Sequence, residues 1–310
     1  MLDIHQLNVF LAAAETLSFT QAAQRLHMTQ PSISQHVQAL ERRFGNELFF
    51  RNGRNLELTD AGLALIPLAR DAVSLSVRIE ELMSSMKGEV IGHLMVGCST
   101  TPGKYVLPQL LARFHQRFPE VRVTCSVSSQ QTAMQMLNEG GVHFALTSLI
   151  EGIQADLEIH KFLCDRVVLI APLDHPWAEK GVITPQELVQ ARYIQREDSS
   201  GTFAAVRDAL GAHGISIRNL DTLLTLGNSE AIAMAVQEGL GVGFVSEMVI
   251  ERLGQGRVAK ISIQGMEILR DIYISRNLRR AATVAQNAFW AFIHSKDNPI
   301  FCDDRQLLTK

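Results

Sequence analysis

Three segments place hydroxyl groups where a strand-like run gives way to a helix-like one. GCSTTPGKY (97–105) offers Ser99, Thr100 and Thr101 ahead of Pro102. REDSSGTF (196–203) offers Ser199, Ser200 and Thr202 beside Gly201, and ALTSL (145–149) ends a run at Thr147 and Ser148. Hydroxyls at a helix N-terminus suit an anion, because the unpaired N–H groups and the helix dipole both favour negative charge there. Ordinary capping and turn chemistry is the competing use of the same residues. Arg196 supplies a countercharge or is simply a surface residue. The chemistry suggested is recognition of a small carboxylate, phosphate or inorganic oxyanion.

A second pattern lies in MTQPSISQHVQALERRFG (28–45), where Ile33, Val37, Leu40 and Phe44 recur at steps of four, three and four and so share one helical face. At 100° per residue the other side carries Pro31, Gln35, Gln38 and Arg42, flanked by Ser32 and Ser34, with Gln30 at the start. Short amides and hydroxyls with few charges can read base edges and phosphates, whereas Glu on that face would repel a duplex. Pro31 falls in the first turn, where its missing N–H costs nothing and its fixed φ suits a helix. Thr29 caps that turn; Arg42 and Arg43 oppose the dipole at the other end, and Gly45 supplies a left-handed stop.

The surrounding elements position this face. Ser18 and Gln21 have capping-box spacing and start a short helix ending near residues 26–28. Two helices joined by so short a turn, the second polar outward at its start, match a helix-turn-helix; a plain solvated helical hairpin is the alternative. ELFFR and NLELT flank Asn52-Gly53 as a hairpin wing that would carry Arg51 and Arg54 towards phosphates or the minor groove. From Thr59 to about Lys87, the residues Leu65, Leu68, Ala72, Leu75, Ile79, Leu82 and Met86 form an a/d seam with steps of three and four, the pattern of a pairing helix. A helix packed on its own domain would show a wider stripe. Pro67 should kink it.

After Gly88, strand-like runs (HLMVGCS, VRVTCSV, VHFALTS, RVVLIAP) alternate with helical ones, and the alternation restarts near Asp165–Arg166. That predicts a mostly parallel sheet in two α/β lobes, with ligands outside the carboxyl ends of strands. LRDIYISR (269–276) reads as a return strand. The domains expected are 1–58, a linker helix 59–88, and 89–310, the last with lobe one at 90–165 plus 268–300 and lobe two at 166–267.

Composition sets the limits. The 310 residues are 46% hydrophobic with net charge −3, and no run of about 18 apolar residues suggests a membrane span. MLDIHQLNVFLAAAE lacks a signal peptide's basic start, so a cytoplasmic location is expected. Residues 1–60 hold five Arg, six Asp or Glu and no Lys, so a nucleic-acid reading rests on geometry rather than basicity. Cys98, Cys125, Cys164 and Cys302 have no metal spacing and read as buried or inert thiols, with a Cys125–Cys164 redox pair as the alternative. No metal site and no cofactor are expected.

Enzyme signals are weak. GLGVGF (239–244) mimics a dinucleotide fingerprint, but a helix precedes it and a strand follows, the reverse of what that motif needs. GNSEA (227–231) lacks the last glycine of a nucleophile elbow and opens a helix after no clear strand. The ten histidines include no HExxH, and no carboxylate pair stands out.

The stretch 7–62, LNVFLAAAETLSFTQAAQRLHMTQPSISQHVQALERRFGNELFFRNGRNLELTDAG, resembles the N-terminal domain of LysR-type transcriptional regulators. Many members have Arg where this chain has Gln35. The resemblance implies a winged helix-turn-helix, a linker helix that dimerises, and a two-lobed effector domain similar to periplasmic binding proteins. It implies an effector bound at positions matching Ser99, Thr101, Thr147 and Thr202, and ligand closure that shifts the spacing of the DNA-reading heads. The implied partners are promoter-operator double-stranded DNA, a small anionic effector and a second copy of the chain, with tetramers and RNA polymerase as further candidates and no membrane. REDSSGT also looks like regulators of sulfur or carbon assimilation. The competing reading is a small-molecule binding protein or enzyme with an incidental hairpin; gel-shift binding to the DNA beside its own gene separates the two.

Overall fold

The computed structural model describes residues 2–52, 55–86, 89–148, 156–253, 256–298 and 300, with only the backbone of 51, 52 and 55. Its contacts divide the chain into two units, 1–92 with 280–285, and 93–279 with 286–310.

The first unit opens with α1 (Ile4–Thr16), α2 (Phe19–Arg25) and α3 (Gln30–Phe44). The starts of α2 and α3 are capped by the residues the sequence suggests: Ser18 Oγ accepts from Gln21 N–H at 3.3 Å and Thr29 Oγ1 from Ser32 N–H at 3.4 Å. Gly45, at φ +67°, ends α3. Leu7, Phe10, Ile33, Val37, Leu40 and Phe49 are fully buried together. Phe44 departs from the expected stripe: at the last turn of α3 it is 36% exposed.

The wing is β1 (Phe49–Asn52) paired antiparallel with β2 (Asn55–Leu58), Phe49 opposite Leu58. Glu41 of α3 accepts from Leu48 N–H at 2.9 Å, fixing where the wing departs. Gly53 and Arg54, the side chain of Arg51, Lys87 and Cys302 lie outside the described residues.

Next, α4 (Asp60–Ser85) is capped by Thr59, whose Oγ1 accepts from Gly62 N–H at 3.0 Å. It runs as one helix through Pro67. The expected seam divides. Leu65 and Ala72 pack on the core of the N-terminal helices, whereas Leu68, Leu75, Ile79, Leu82 and Met86 are exposed, by 51% to 76%. The first turns of α4 serve two surfaces at once, which a heptad pattern alone does not separate.

The second unit contains β3 (Gly92–Cys98), a π turn (Pro102–Val106), α5 (Leu107–Arg117), β4 (Val121–Val127), α6 (Gln130–Glu139), β5 (Phe144–Thr147), β6 (Leu157–Ala171), α7 (Pro176–Lys180), β7 (Val182–Ile183) and β8 (Arg192–Arg196). It continues with α8 (Gly201–Ala212), β9 (Asp221–Leu226), α9 (Ser229–Gln237), β10 (Val242–Ser246), α10 (Glu247–Leu253), β11 (Ala259–Ile263), β12 (Ile268–Asn277) and α11 (Val284–Ile293). The main sheet order is β4-β3-β5-β12-β6-β10-β8-β9.

The two long strands β6 and β12 pair antiparallel from Val167↔Ile268 to Leu157↔Asn277 and serve both lobes. On one side β12 pairs β5 through Tyr273–Arg276; on the other β6 pairs β10 through Val167–Ile170. The β3–β5, β8–β9 and β8–β10 pairs are parallel, so helix starts gather at the strands' carboxyl ends. Phe114, Phe144 and Phe289 centre one lobe, with Phe114 and Phe289 edge to face at 5.1 Å. Tyr193, stacked on Phe244, lies in the core of the other.

The expected absence of a strand before GNSEA does not hold. GNSEA does follow a strand, β9, whose residues are nearly all exposed and so carry no inside–outside alternation to read. It is still no nucleophile elbow, since Asn228 caps α9 and Ser229 accepts from Arg196 Nη1 at 3.3 Å. GLGVGF is a turn between α9 and β10, with Gly239 at φ +80° and no room for a Cβ at Gly241, 2.6 Å from the Arg192 carbonyl oxygen.

Candidate DNA-reading face and effector cleft

On α3 the buried residues Ile33, Val37 and Leu40 turn the other side outward. Gln30, Pro31, Gln35, Gln38 and Arg42 are exposed; Ser32 and Ser34 are half-buried. The hydrogen-bonding groups thus form one continuous face on a helix whose opposite side is locked into the core.

In the second unit a cleft of about 230 Å³ opens between the lobes. Lobe one contributes Ser99, Thr100 and Thr101 after β3, Ser128, Ser129 and Gln130 at the start of α6, and Ser148 after β5; lobe two contributes Arg196, Glu197, Ser199, Ser200 and Gly201 before α8, and Gly227 before α9. Arg270 of β12 completes it. Helix starts from both lobes therefore converge on one volume, and their dipoles make it receptive to negative charge. Thr101 is 4% exposed and its hydroxyl makes no capping bond.

Two arginines underlie the cleft, each already held. Arg270 Nε and Nη2 donate to Asp165 Oδ2 at 3.0 and 2.5 Å, and Nη1 donates to Thr202 Oγ1 at 2.8 Å. Asp165 Oδ1 accepts from Ser246 Oγ at 2.8 Å. Both members of this ion pair are almost wholly buried, so removing either strands the other's charge, a loss of about 3–5 kcal/mol. Because Asp165 and Arg270 face each other on β6 and β12, the pair sits on the strands that join the lobes. Arg196 holds Glu197 in a bidentate pair at 2.7 and 2.8 Å, which neutralises the one lining carboxylate among the described residues.

The lobes also touch directly. Gln130 Oε1 accepts from Ser148 N–H and Oγ, both at 2.8 Å, while Nε2 donates across to the Ser199 carbonyl at 3.1 Å. A Cβ on Gly201 would lie 1.8 Å from Ser148 Oγ. Farther along, Lys104 Nζ and Tyr105 OH of lobe one both donate to the Glu230 carboxylate of lobe two. Those bonds hold Glu230 below the usual carboxylate range; burial, then Glu230's charge, raises the Tyr105 phenol.

Of the predicted effector residues, Ser99, Thr100, Thr101, Arg196, Ser199 and Ser200 line the cleft. Thr147 and Thr202 do not: each is 1% exposed, Thr147 within β5 and Thr202 beneath the cleft on Arg270. Arg196 is a buried cleft residue, not a surface one. Sequence reading missed Gln130 and Arg270. For Gln130, the Ser-Ser-Gln start of a helical run carried the same hydroxyl signal as the sites it did find. Arg270 had none, since only the β6–β12 pairing brings it in. Among the described residues no cluster of His, Cys, Asp or Glu could hold a metal ion, and no helix is long and apolar enough to cross a membrane.

A winged helix-turn-helix followed by a two-lobed α/β ligand-binding fold defines a class of effector-responsive transcriptional regulators. The chain belongs to the LysR family: residues 4–63 match the bacterial regulatory helix-turn-helix protein, lysR family, and 87–297 match the LysR substrate binding domain. It is a transcriptional regulator with an effector-binding domain, not an enzyme. It is 32% identical to the RuBisCO operon transcriptional regulator of Allochromatium vinosum, across 97% of this chain and 98% of that one. The regulatory domain of CcmR from Synechocystis PCC6803, solved in complex with 2-PG, superposes with a TM-score of 0.59 at 28% identity over 65% of this chain and 95% of that chain. Full-length CbnR in complex with its target DNA gives a TM-score of 0.66 at 22% identity, covering 94% of this chain and 99% of that chain.

Proposed function

We propose that this regulator binds promoter DNA through the α3 face, pairs through the exposed side of α4, and responds to a small anion held between its lobes. The observation that carries the effector reading is the convergence of hydroxyl-lined helix starts from both lobes, with Arg196 and Arg270, on one cleft. An anion there gains N–H donors and dipole stabilisation from both sides, so it favours the closed arrangement over an open one. The 2-PG bound by the Synechocystis relative makes that compound a natural probe. Dimers, and tetramers built from them, place two reading helices on two half-sites. Closure of the cleft then alters the spacing of those helices.

Calorimetric titration with sulfate, inorganic phosphate, 2-PG and small carboxylates tests the cleft. At least one anion should bind, and Thr101→Ala should weaken it by the value of a hydrogen bond to a charged group, about 1.5–3 kcal/mol or roughly ten- to 150-fold. An unchanged affinity in Thr101→Ala rejects this cleft as the effector site.

A further inference from the structure

Directly below the cleft, in lobe one, two thiols face each other. Cys98 is the last residue of β3 and Cys125 lies on β4, the next strand; their Sγ atoms are 3.5 Å apart. Cys98 is fully buried, its Sγ also 3.6 Å from the Ser126 carbonyl oxygen. A Cβ on Gly103 would come within 2.6 Å of that sulfur, so Gly103 leaves it the room it occupies. Cys125 is exposed, on a strand that ends the sheet order. The two sulfurs therefore differ in role: one is reachable from solvent, the other is shielded and already in contact with it.

We propose that Cys98 and Cys125 form a reversible disulfide site whose oxidant is a small hydroperoxide. The Cys125 thiolate attacks the peroxide oxygen, the O–O bond breaks, and Cys125 becomes a sulfenic acid as the hydroperoxide leaves reduced to an alcohol or water. The Cys98 thiol then attacks the Cys125 sulfur, forming the S–S bond and releasing water, with the thiol proton leaving in that water. Contact with Cys125 and burial raise the Cys98 thiol, in keeping with its place as the shielded partner. The sulfurs lie on neighbouring strands, 3.5 Å apart against a bonded distance of about 2.05 Å. The Cys125–Cys164 alternative does not fit, for β3, β5 and β12 lie between β4 and β6 in the sheet and keep Cys164 away from Cys125.

The cross-link would join the two strand ends from which Ser99–Thr101 and Ser128–Gln130 extend; Ser128 N–H already donates to the Cys98 carbonyl at 2.9 Å. Oxidation should therefore change anion affinity, a consequence that rests on the cleft reading above, whereas the cross-link itself does not.

The test treats the full-length protein with hydrogen peroxide and maps peptides by mass spectrometry without reduction. A 98–125 linked peptide should appear, revert with dithiothreitol, persist in Cys164→Ser and vanish in Cys125→Ser. In Cys98→Ser, Cys125 should stop at the sulfenic acid and be captured by a 1,3-diketone. A Cys125 linked elsewhere, oxidised to sulfinic acid with Cys98 still reduced, or unreactive overturns the proposal. Titration of the same oxidised and reduced samples with sulfate and 2-PG should differ several-fold; equal affinities with the cross-link present overturn the coupling. Absence of anion binding in the reduced protein counts against the cleft reading and leaves the peptide map to decide the thiol site.

Discussion

Gln35 carries one donor and one acceptor in a single plane, exposed on the outward side of α3. That is the geometry for a bidentate bond to a base edge, typically adenine, where arginine in the same place would favour guanine. Gln35→Ala should therefore cost about 1–3 kcal/mol at one base pair and leave the others unchanged, measured by competition among operator variants. A uniform loss across all sequences would assign Gln35 to the phosphate backbone instead. This face was legible because everything that defines it is local: a cap, a proline, an apolar period and a glycine within 17 residues, 29–45. The cleft was only half legible. Hydroxyls before helices announce themselves, but whether a given one faces the ligand or the floor depends on packing. Thr202 looked like a ligand group and proves to be a bond acceptor for Arg270, a residue 68 positions away in the chain.

At the scale of elements, α4 shows what periodicity can and cannot say. The repeat correctly marks an apolar face, yet Leu65 and Ala72 are used within the chain while Leu75, Ile79 and Leu82 are left exposed. Each is already about half covered, so completing its burial would add roughly half of the 1.5–3 kcal/mol that a fully exposed side chain gains. Leu75→Lys combined with Ile79→Lys should convert the dimer proposed above to monomers in sedimentation velocity without loss of helical circular dichroism, as both side chains lie outside the buried core. A double variant that remains dimeric places the interface elsewhere. The β9 strand shows the opposite difficulty. With nearly every residue exposed it has no alternation, and only its parallel pairing with β8 identifies it.

At the largest scale, the two-lobed form of the second unit is defined by β6 and β12, and side-chain contacts across the cleft tie its lobes together. The Glu230 carboxylate, held below its ordinary range by Lys104 and Tyr105, makes one of those contacts. Since its pKa is lowered in the folded protein, its contribution to stability is complete above the ordinary carboxylate range and disappears as pH falls through the lowered value. The melting temperature of the wild type should thus drop more steeply with acidification than that of Glu230→Gln; parallel curves would show that this contact adds nothing to stability. On the other flank, a Cβ at position 201 would lie 1.8 Å from Ser148 Oγ, so any side chain there must push that hydroxyl off its bond to Gln130. Under the cleft reading proposed above, a side chain at position 201 would act as a doorstop between the lobes. The regulator would then hear its signal more faintly, a partial deafness that begins with one added methyl group.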